Sequence, residues 1–183
     1  MTPQRSSTSA SSRFLLLCAV VAVLGGCGSA TTTEGMVPTD FTPAKKFSQT
    51  VSVSVSGGKE TDSMGKPQIT DAVFAQALAD AITKSQIFSR VVEGKGGTYL
   101  LSVVLSDMEQ PSFGATFTVK LEAGWTLRRS DSGKVVWQEA IRSEGIATIS
   151  DAVAGVTRLR MATEFAAKNN ISQGLGKISQ LNL

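Results

Sequence analysis

The residues that usually carry enzyme chemistry are nearly absent from this chain. Its 183 residues include two cysteines, Cys18 and Cys27, and no histidine. The lack of histidine removes the commonest general base and the commonest metal ligand, and it rules out Ser-His and Cys-His catalytic pairs. An enzyme built from this sequence would need paired carboxylates, a Ser/Lys pair or a metal site made only of carboxylates.

The carboxylates of the second half of the sequence do not form an evident pair. No spacing singles out two partners among Glu93, Asp107, Glu109, Glu122, Glu139 and Glu144. The glycine cluster at 94–97 has neither the Walker spacing nor the dinucleotide fingerprint, and a strand-like segment follows it instead of a helix. We therefore expect no enzymatic activity, no catalytic residue, no metal site and no cofactor.

One cysteine lies in a motif that suits covalent lipid attachment. Cys27 ends the sequence Leu24-Gly25-Gly26-Cys27, which closes an apolar run over residues 14–24, and two arginines precede that run. The run has eleven residues, whereas a helix needs about 20 to cross the hydrocarbon core of a bilayer. A basic region, a short apolar region and small residues before a cysteine resemble the signal peptide and lipobox of bacterial lipoproteins.

This resemblance implies a lipid anchor on Cys27. In bacterial lipoproteins the cysteine thiol receives a diacylglycerol, a peptidase cuts before the cysteine, and the new amine is usually acylated as well. The cut would fall between Gly26 and Cys27. Two or three acyl chains hold a protein on a membrane far more firmly than one, because each buried methylene contributes about 0.8 kcal/mol. The alternatives are an ordinary secretory signal cut nearby and an uncleaved anchor.

The residues after the cysteine indicate which membrane would hold the lipid anchor. In Gram-negative lipoproteins an Asp next to the cysteine commonly signals retention in the inner membrane, but here Gly28 and Ser29 follow. The resemblance therefore implies the periplasmic face of the outer membrane. The alternative is the inner membrane or, in a Gram-positive source, the outer face of the plasma membrane.

The chain that remains after signal cleavage is long enough for one domain and has little net charge. Removing residues 1–26 takes away Arg5 and Arg13, which leaves 16 basic and 15 acidic residues among 157. A net charge of +1 gives no electrostatic reason to bind nucleic acid. The expected organisation is a signal peptide over 1–26, a lipidated flexible tether over 27–47, rich in Thr and Pro, and a single domain over 48–183.

Apolar periodicity predicts five strands and two helices in the domain. The clearest pattern, over 117–128, alternates a core face with a wet face, and a turn at 130–133 follows it. Thr70 and Asp71 mark the start of the first helix. The predicted elements are strand 51–55, the helix from residue 71, strands 88–92, 99–105, 117–128 and 135–149, and a final helix of about twenty residues after Gly155.

This order predicts an α+β fold: an antiparallel four- to five-stranded sheet with two helices packed on one face, in the order strand-helix-strand-strand-strand-strand-helix. Behind a lipidated cysteine and a spacer, the pattern resembles small envelope lipoproteins of the YajG type. It resembles more distantly the lipopolysaccharide-assembly and transport-auxiliary lipoproteins. No site residue can be transferred from this resemblance, which extends over most of residues 49–180.

Two functions from different classes follow from the sequence. The first is a non-catalytic accessory module that binds an envelope protein complex at the membrane through a sheet edge, the wet face of the long hairpin, or Met161 and Phe165. These two residues lie outside the main apolar stripe of the last helix, where a partner or, in the favoured interpretation, a neighbouring loop of the same chain covers them. The second is a lipid or glycolipid auxiliary with an apolar groove between sheet and helices. Its phosphate-attracting residues would be Lys120, Arg128, Arg129, Lys134 and Arg142, although acidic residues interspersed among them favour an ordinary solvated surface.

Overall fold

The computed structural model describes residues 30–183, so the lipobox and signal peptide lie outside the described part of the chain. Three helices and five strands form one α+β unit. In chain order they are α1 (Thr33–Met36), β1 (Phe47–Ser56), α2 (Asp71–Ser85), β2 (Phe88–Val91), β3 (Tyr99–Glu109), β4 (Phe117–Arg129), β5 (Val135–Ala147) and α3 (Gly155–Ile178). The predicted order of strands and long helices is confirmed, with the short α1 added before it.

The sheet is mixed, which corrects the antiparallel prediction. Its strand order is β2-β1-β3-β4-β5, and β1 runs parallel to both of its neighbours. The reason is the connection: α2 carries the chain back along the sheet after β1, so β2 starts at the same end as β1, as in any βαβ unit. Only β3, β4 and β5 are antiparallel neighbours, and short turns join them.

Alternation along the strands places the core on one face of the sheet. On β4, Val119, Leu121 and Ala123 are buried, whereas the residues between them point to the opposite face. Both long helices cover the buried face, α2 over β1 and β2 and α3 over β4 and β5. Helix α2 begins as predicted, because the Thr70 side chain accepts a hydrogen bond from the backbone N–H of Val73.

Helix α3 packs closely against β4 and β5 because two glycines at the contact lack a Cβ atom. A Cβ atom on Gly145 would overlap the α3 backbone at Ala162 and Ala166. A Cβ on Gly174 would overlap the indole ring of Trp125. The sheet and α3 are therefore in direct contact, and the lipid groove predicted between sheet and helices is not present at this interface.

Residues 31–46 are packed onto the helices, which corrects the prediction of a flexible tether for the described part of 27–47. Helix α1 contacts both α2 and α3, and Met36 is completely buried in the main core. Further along, the backbone N–H of Ala44 donates to the Ser179 hydroxyl. The folded unit thus extends at least as far back as Thr31, instead of beginning at residue 48. We call residues 31–46 the strap.

Within residues 30–183, no helix combines the length and the apolar character that a membrane crossing requires.

Candidate functional site

The first described residues lie at one end of the sheet. At this end β1, β3 and β5 finish, β4 begins, and both α2 and α3 have their N-termini. Three loops meet there, over residues 57–70, 110–116 and 148–154. We call this region the loop end. The opposite end carries the hairpin turn at 130–134 and the C-terminus of α3.

Thr31 ties the start of the strap to the loop end. Its hydroxyl donates to the carbonyl oxygen of Gln68 over 2.8 Å. The amide of Gln110 in turn donates to the carbonyl of Pro67 at 2.7 Å and to the hydroxyl of Thr163 at 3.0 Å. These bonds join strap, loops and α3, whereas Ala30, immediately before Thr31, is exposed. The predicted anchor Cys27, its neighbours Gly28 and Ser29 and the cleavage position at Gly26 lie outside the described residues.

Glu164 holds the next turn of the strap. Its Oε1 accepts hydrogen bonds from the Thr32 backbone N–H at 2.8 Å, from the Thr32 hydroxyl at 3.0 Å and from the Arg160 guanidinium at 3.0 Å. The Glu164 side chain is only 5% exposed. A Cβ on Gly35 would overlap its carboxyl group, so the glycine is needed for this close approach. The spacing of four between Arg160 and Glu164 is typical of an exposed ion pair on a helix, but here the pair is part of a buried polar clamp.

The loop end also carries most of the exposed large apolar side chains of the described residues. Met64, Phe113 and Val153 project from its three loops and are each more than 80% exposed. Ile149, Val156 and Ile146 lie at the same end and are about half exposed. Elsewhere in residues 30–183, only Val104 on the open sheet face and Val135 beside the hairpin turn are comparably exposed. An open groove of about 390 Å³ runs between Met64, Pro67, Pro111, Phe117, Val156 and Leu159.

A buried arginine fixes two of these loops. Arg158, on the first turns of α3, is 6% exposed. One of its terminal nitrogens donates to the carbonyls of Ala152 and Val153 at 2.8 and 3.0 Å, and the other donates to the carbonyl of Gly114 at 3.0 Å. Its guanidinium also lies 5.0 Å from the centre of the Phe117 ring. Nothing in the spacing of the sequence indicated this role.

The basic residues considered for phosphate attraction do not form one positive patch. Lys120, Arg128 and Arg142 lie on the open face of the sheet, whereas Arg129 and Lys134 lie at the hairpin turn. Three of the five pair with acids: Lys120 with Glu109 at 3.7 Å, Arg142 with Glu122 at 2.6 Å and Arg129 with Asp131 at 2.6 Å. This arrangement agrees with the predicted solvated surface of mixed charge.

Two carboxyl groups have clearly perturbed acidity, and both are structural. The Arg129 guanidinium donates to both carboxylate oxygens of Asp131, which holds the pKa of that carboxyl well below its usual range. Asp151 accepts hydrogen bonds from the backbone N–H and the hydroxyl of Thr148 at 2.7 and 2.8 Å, which lowers its pKa as well. Both lie in exposed turns, away from any group they could serve as acid or base.

The other candidate residues, Met161, Phe165 and Glu139, contact neighbouring side chains of the fold. Met161 and Phe165 are half-buried and pack against the core cluster, and the Lys168 ammonium lies 5.4 Å from the Phe165 ring centre. Their role as a partner contact stays a prediction. Glu139 lies on the edge strand β5, where the Lys177 ammonium donates to it at 2.7 Å. Among the described residues, no three His, Cys, Asp or Glu side chains cluster to hold a metal ion.

Comparisons with known proteins match the fold but not the sequence. No family model matches the chain, and no curated protein matches it. A solved structure of a Xanthomonas campestris protein of family DUF330 has a TM-score of 0.57 at 14% identity, over 81% of this chain and 92% of that one. Lipoprotein B from Nitrosomonas europaea has a TM-score of 0.53 at 14% identity, over 75% and 86%.

A third structure is the PelC dodecamer from Paraburkholderia phytofirmans, with a TM-score of 0.51 at 17% identity over 78% of this chain and 95% of that one. At these identities the likeness concerns the fold alone. The chain therefore has an α+β fold that also occurs in bacterial lipoproteins.

Proposed function

We propose that this protein is a lipid-anchored lipoprotein of the bacterial envelope, held on the periplasmic face of the outer membrane through Cys27, and that its domain is a non-catalytic accessory module. The observation that carries the proposal is the lipobox Leu24-Gly25-Gly26-Cys27 directly before a fold shared with bacterial lipoproteins. The resemblance to the YajG type is part of this proposal.

The entry point of the chain supports an anchor at this position. Thr31 is hydrogen-bonded to the loop end, and Cys27 precedes it by four residues. Four extended residues reach at most about 14 Å, at roughly 3.3–3.6 Å each. A lipid on Cys27 would thus hold the domain directly against the bilayer surface.

The polar groups of the domain support a non-catalytic role. Three of the six candidate carboxylates, Glu109, Glu122 and Glu139, are occupied in ion pairs with neighbouring bases. The buried amide of Asn170 is satisfied by structural partners: it accepts from the Trp125 indole N–H at 2.9 Å and donates to the Ile141 carbonyl at 3.0 Å. Such groups stabilise packing and are not free to act on a substrate.

The open face of the sheet is the surface best suited to a protein partner. None of the three helices described within residues 30–183 covers it. It presents alternating acidic and basic residues, with Lys120, Glu122, Arg142 and Glu144 in adjacent register positions on β4 and β5. A surface of interspersed opposite charges fits a polar protein interface better than an anionic lipid, because its own acids offset the attraction for phosphate.

The second candidate, a lipid or glycolipid auxiliary, is favoured by one observation. The groove at the loop end has an apolar lining that includes Phe117, Val156 and Leu159. The groove is open to solvent on the surface, unlike the enclosed apolar sites that usually bury most of a small ligand. We therefore keep the accessory module as the main proposal.

The anchor is tested by replacing Cys27 with serine in the full-length chain and following labelled palmitate and membrane fractionation. The Cys27→Ser protein should incorporate no palmitate and leave the membrane fraction. Cys18→Ser is a matched control, because it removes the other cysteine of the chain and should change neither result. Palmitate on the Cys27→Ser protein would contradict the anchor. Gly28→Asp should shift the protein toward the inner membrane if the sorting analogy applies.

The accessory role is tested by purifying the lipidated protein from mildly solubilised membranes and identifying the molecules bound to it. A stoichiometric protein partner, lost on charge reversal at Arg142 and Glu144, would support a module that uses the open face of the sheet. Recovery of one lipid species without a protein would favour the second candidate.

A further inference from the structure

We propose that the loop end is a membrane-docking surface: the exposed apolar side chains of its three loops insert into the headgroup region of the bilayer that holds the lipid anchor. The inference rests on the proposed anchor at Cys27 and goes beyond it. It assigns the domain a fixed orientation on the membrane and names the side chains that set it.

The first argument is where the exposed apolar side chains lie. Met64, Phe113 and Val153 are 92%, 87% and 86% exposed, and each comes from a different loop of the same end. Scattered exposed apolar residues are ordinary, but concentration at one end marks an interaction surface. The hairpin turn at the opposite end is polar, with Asp131, Ser132 and Lys134 exposed.

The second argument is that two of the loop tips are held in place. Phe113 immediately precedes Gly114, and the Gly114 carbonyl is bound by the same guanidinium that binds the carbonyls of Ala152 and Val153. A buried arginine thereby fixes the backbone of the two loops that carry these exposed apolar side chains. Ordering exposed apolar residues has no stabilising value in water, whereas a preformed apolar surface binds its partner at a lower entropic cost.

The third argument is the position of the anchor, which identifies the occupant as a bilayer. Thr31 binds Gln68, and the adjacent Pro67 lines the apolar groove of the loop end. With at most about 14 Å of chain between Cys27 and Thr31, the loop end is the part of the domain that a lipid on Cys27 would bring to the membrane.

Charge at the loop end indicates that the contact is apolar. The loop over 57–70 carries two basic and two acidic residues, the loop over 110–116 carries none, and the loop over 148–154 carries only Asp151. Arg158 is buried and occupied by carbonyl groups. Docking should therefore depend little on anionic lipid, unlike the binding of polybasic surfaces.

The test places one environment-sensitive dye on the full-length, processed lipoprotein in phosphatidylcholine vesicles. Ser112→Cys puts the dye beside Phe113 at the loop end, and Ser132→Cys puts it in the hairpin turn at the opposite end; both positions are exposed. Vesicles with brominated acyl chains should quench the dye at 112 several-fold more than the dye at 132. Replacing phosphatidylcholine partly with phosphatidylglycerol should leave this ratio unchanged.

Insertion of the apolar tips is tested in the Ser112→Cys protein with Phe113→Ser and Val153→Ser. These changes should remove most of the quenching at 112, whereas Val104→Ser, on the open sheet face, should not. Both tip residues are too exposed for their loss to unfold the domain. Equal quenching at 112 and 132 on a protein with the lipid mass on Cys27 would overturn the docking proposal and leave the anchor intact.

Two further outcomes would also overturn the inference. If the parent protein binds the thiol-reactive dye at Cys27 and lacks the lipid mass, the anchor is wrong and the reason for docking at this end is lost with it. If the dye at 112 is shielded from a water-soluble quencher in native envelope membranes but is not quenched by brominated lipid, a protein covers the loop end instead of a bilayer.

Discussion

Replacing Met36 with alanine measures how far the strap belongs to the folded domain. Met36 is completely buried and lies on α1, which contacts both α2 and α3. Truncating a buried Met to Ala costs about 2–5 kcal/mol, through lost transfer energy and the cavity that remains. For a domain of this size, about 1 kcal/mol shifts the melting temperature by roughly 2–4 °C. We therefore expect a fall of at least several degrees.

Met64→Ala is the matched control, because the same atoms are removed from a side chain that is almost fully exposed. It should change the free energy of unfolding by less than about 0.5 kcal/mol. Both variants and the parent protein would be compared by urea unfolding, with circular dichroism and tryptophan fluorescence as probes. A Met36→Ala protein as stable as Met64→Ala would refute the conclusion that the strap is part of the core and would restore the flexible tether.

Three further changes test other parts of the structure. Glu164→Gln should cost about 1–3 kcal/mol, since it weakens charge-assisted hydrogen bonds at a buried site, and unchanged urea unfolding would contradict the buried clamp. Gly145→Ala should lower the free energy of unfolding by about 1–3 kcal/mol through overpacking. Gly124→Ala is its control and should leave that free energy unchanged, because a Cβ there meets nothing within 4 Å. Equal unfolding midpoints for the two variants would refute the close contact between α3 and the sheet. The pKa of Asp151 is lowered, so its carboxylate should remain ionised and bonded to Thr148 at pH values above the ordinary pKa of an aspartate. These bonds should break only as the pH falls through the lowered pKa of Asp151. A Thr148 amide signal that is constant in an NMR titration into strong acid would argue against them.

Local patterns in the sequence were sufficient to predict most of the strands and helices. The period of two along β4 reflects a strand with one buried face, and such a pattern needs no knowledge of the rest of the fold. The Thr70 cap likewise depends only on residues within one helical turn. The direction of β1 was predicted wrongly because periodicity carries no direction, although the helix between β1 and β2 indicated a parallel pair.

The strap and the polar clamps could not be read from local pattern. Met36 and Phe41 show no apolar period in a segment rich in Thr and Pro, and their burial comes from contact with helices far away in the sequence. The same holds for Glu164, whose spacing to Arg160 is typical of an exposed helix pair; its burial by Thr32 depends on a partner 132 positions earlier. Nonlocal contacts of this kind leave no periodic signal.

The strap also has a consequence for the order in which the protein matures. Its binding partners Glu164 and Ser179 stand 132 and 135 positions further along the chain, so a segment that precedes all five strands docks onto the last helix and its C-terminal end. Contacts with such large separation form late in folding. The strap contacts with Glu164 and Ser179 can therefore form only after the C-terminal helix has been synthesised, so the strap is among the last parts of the described fold to close.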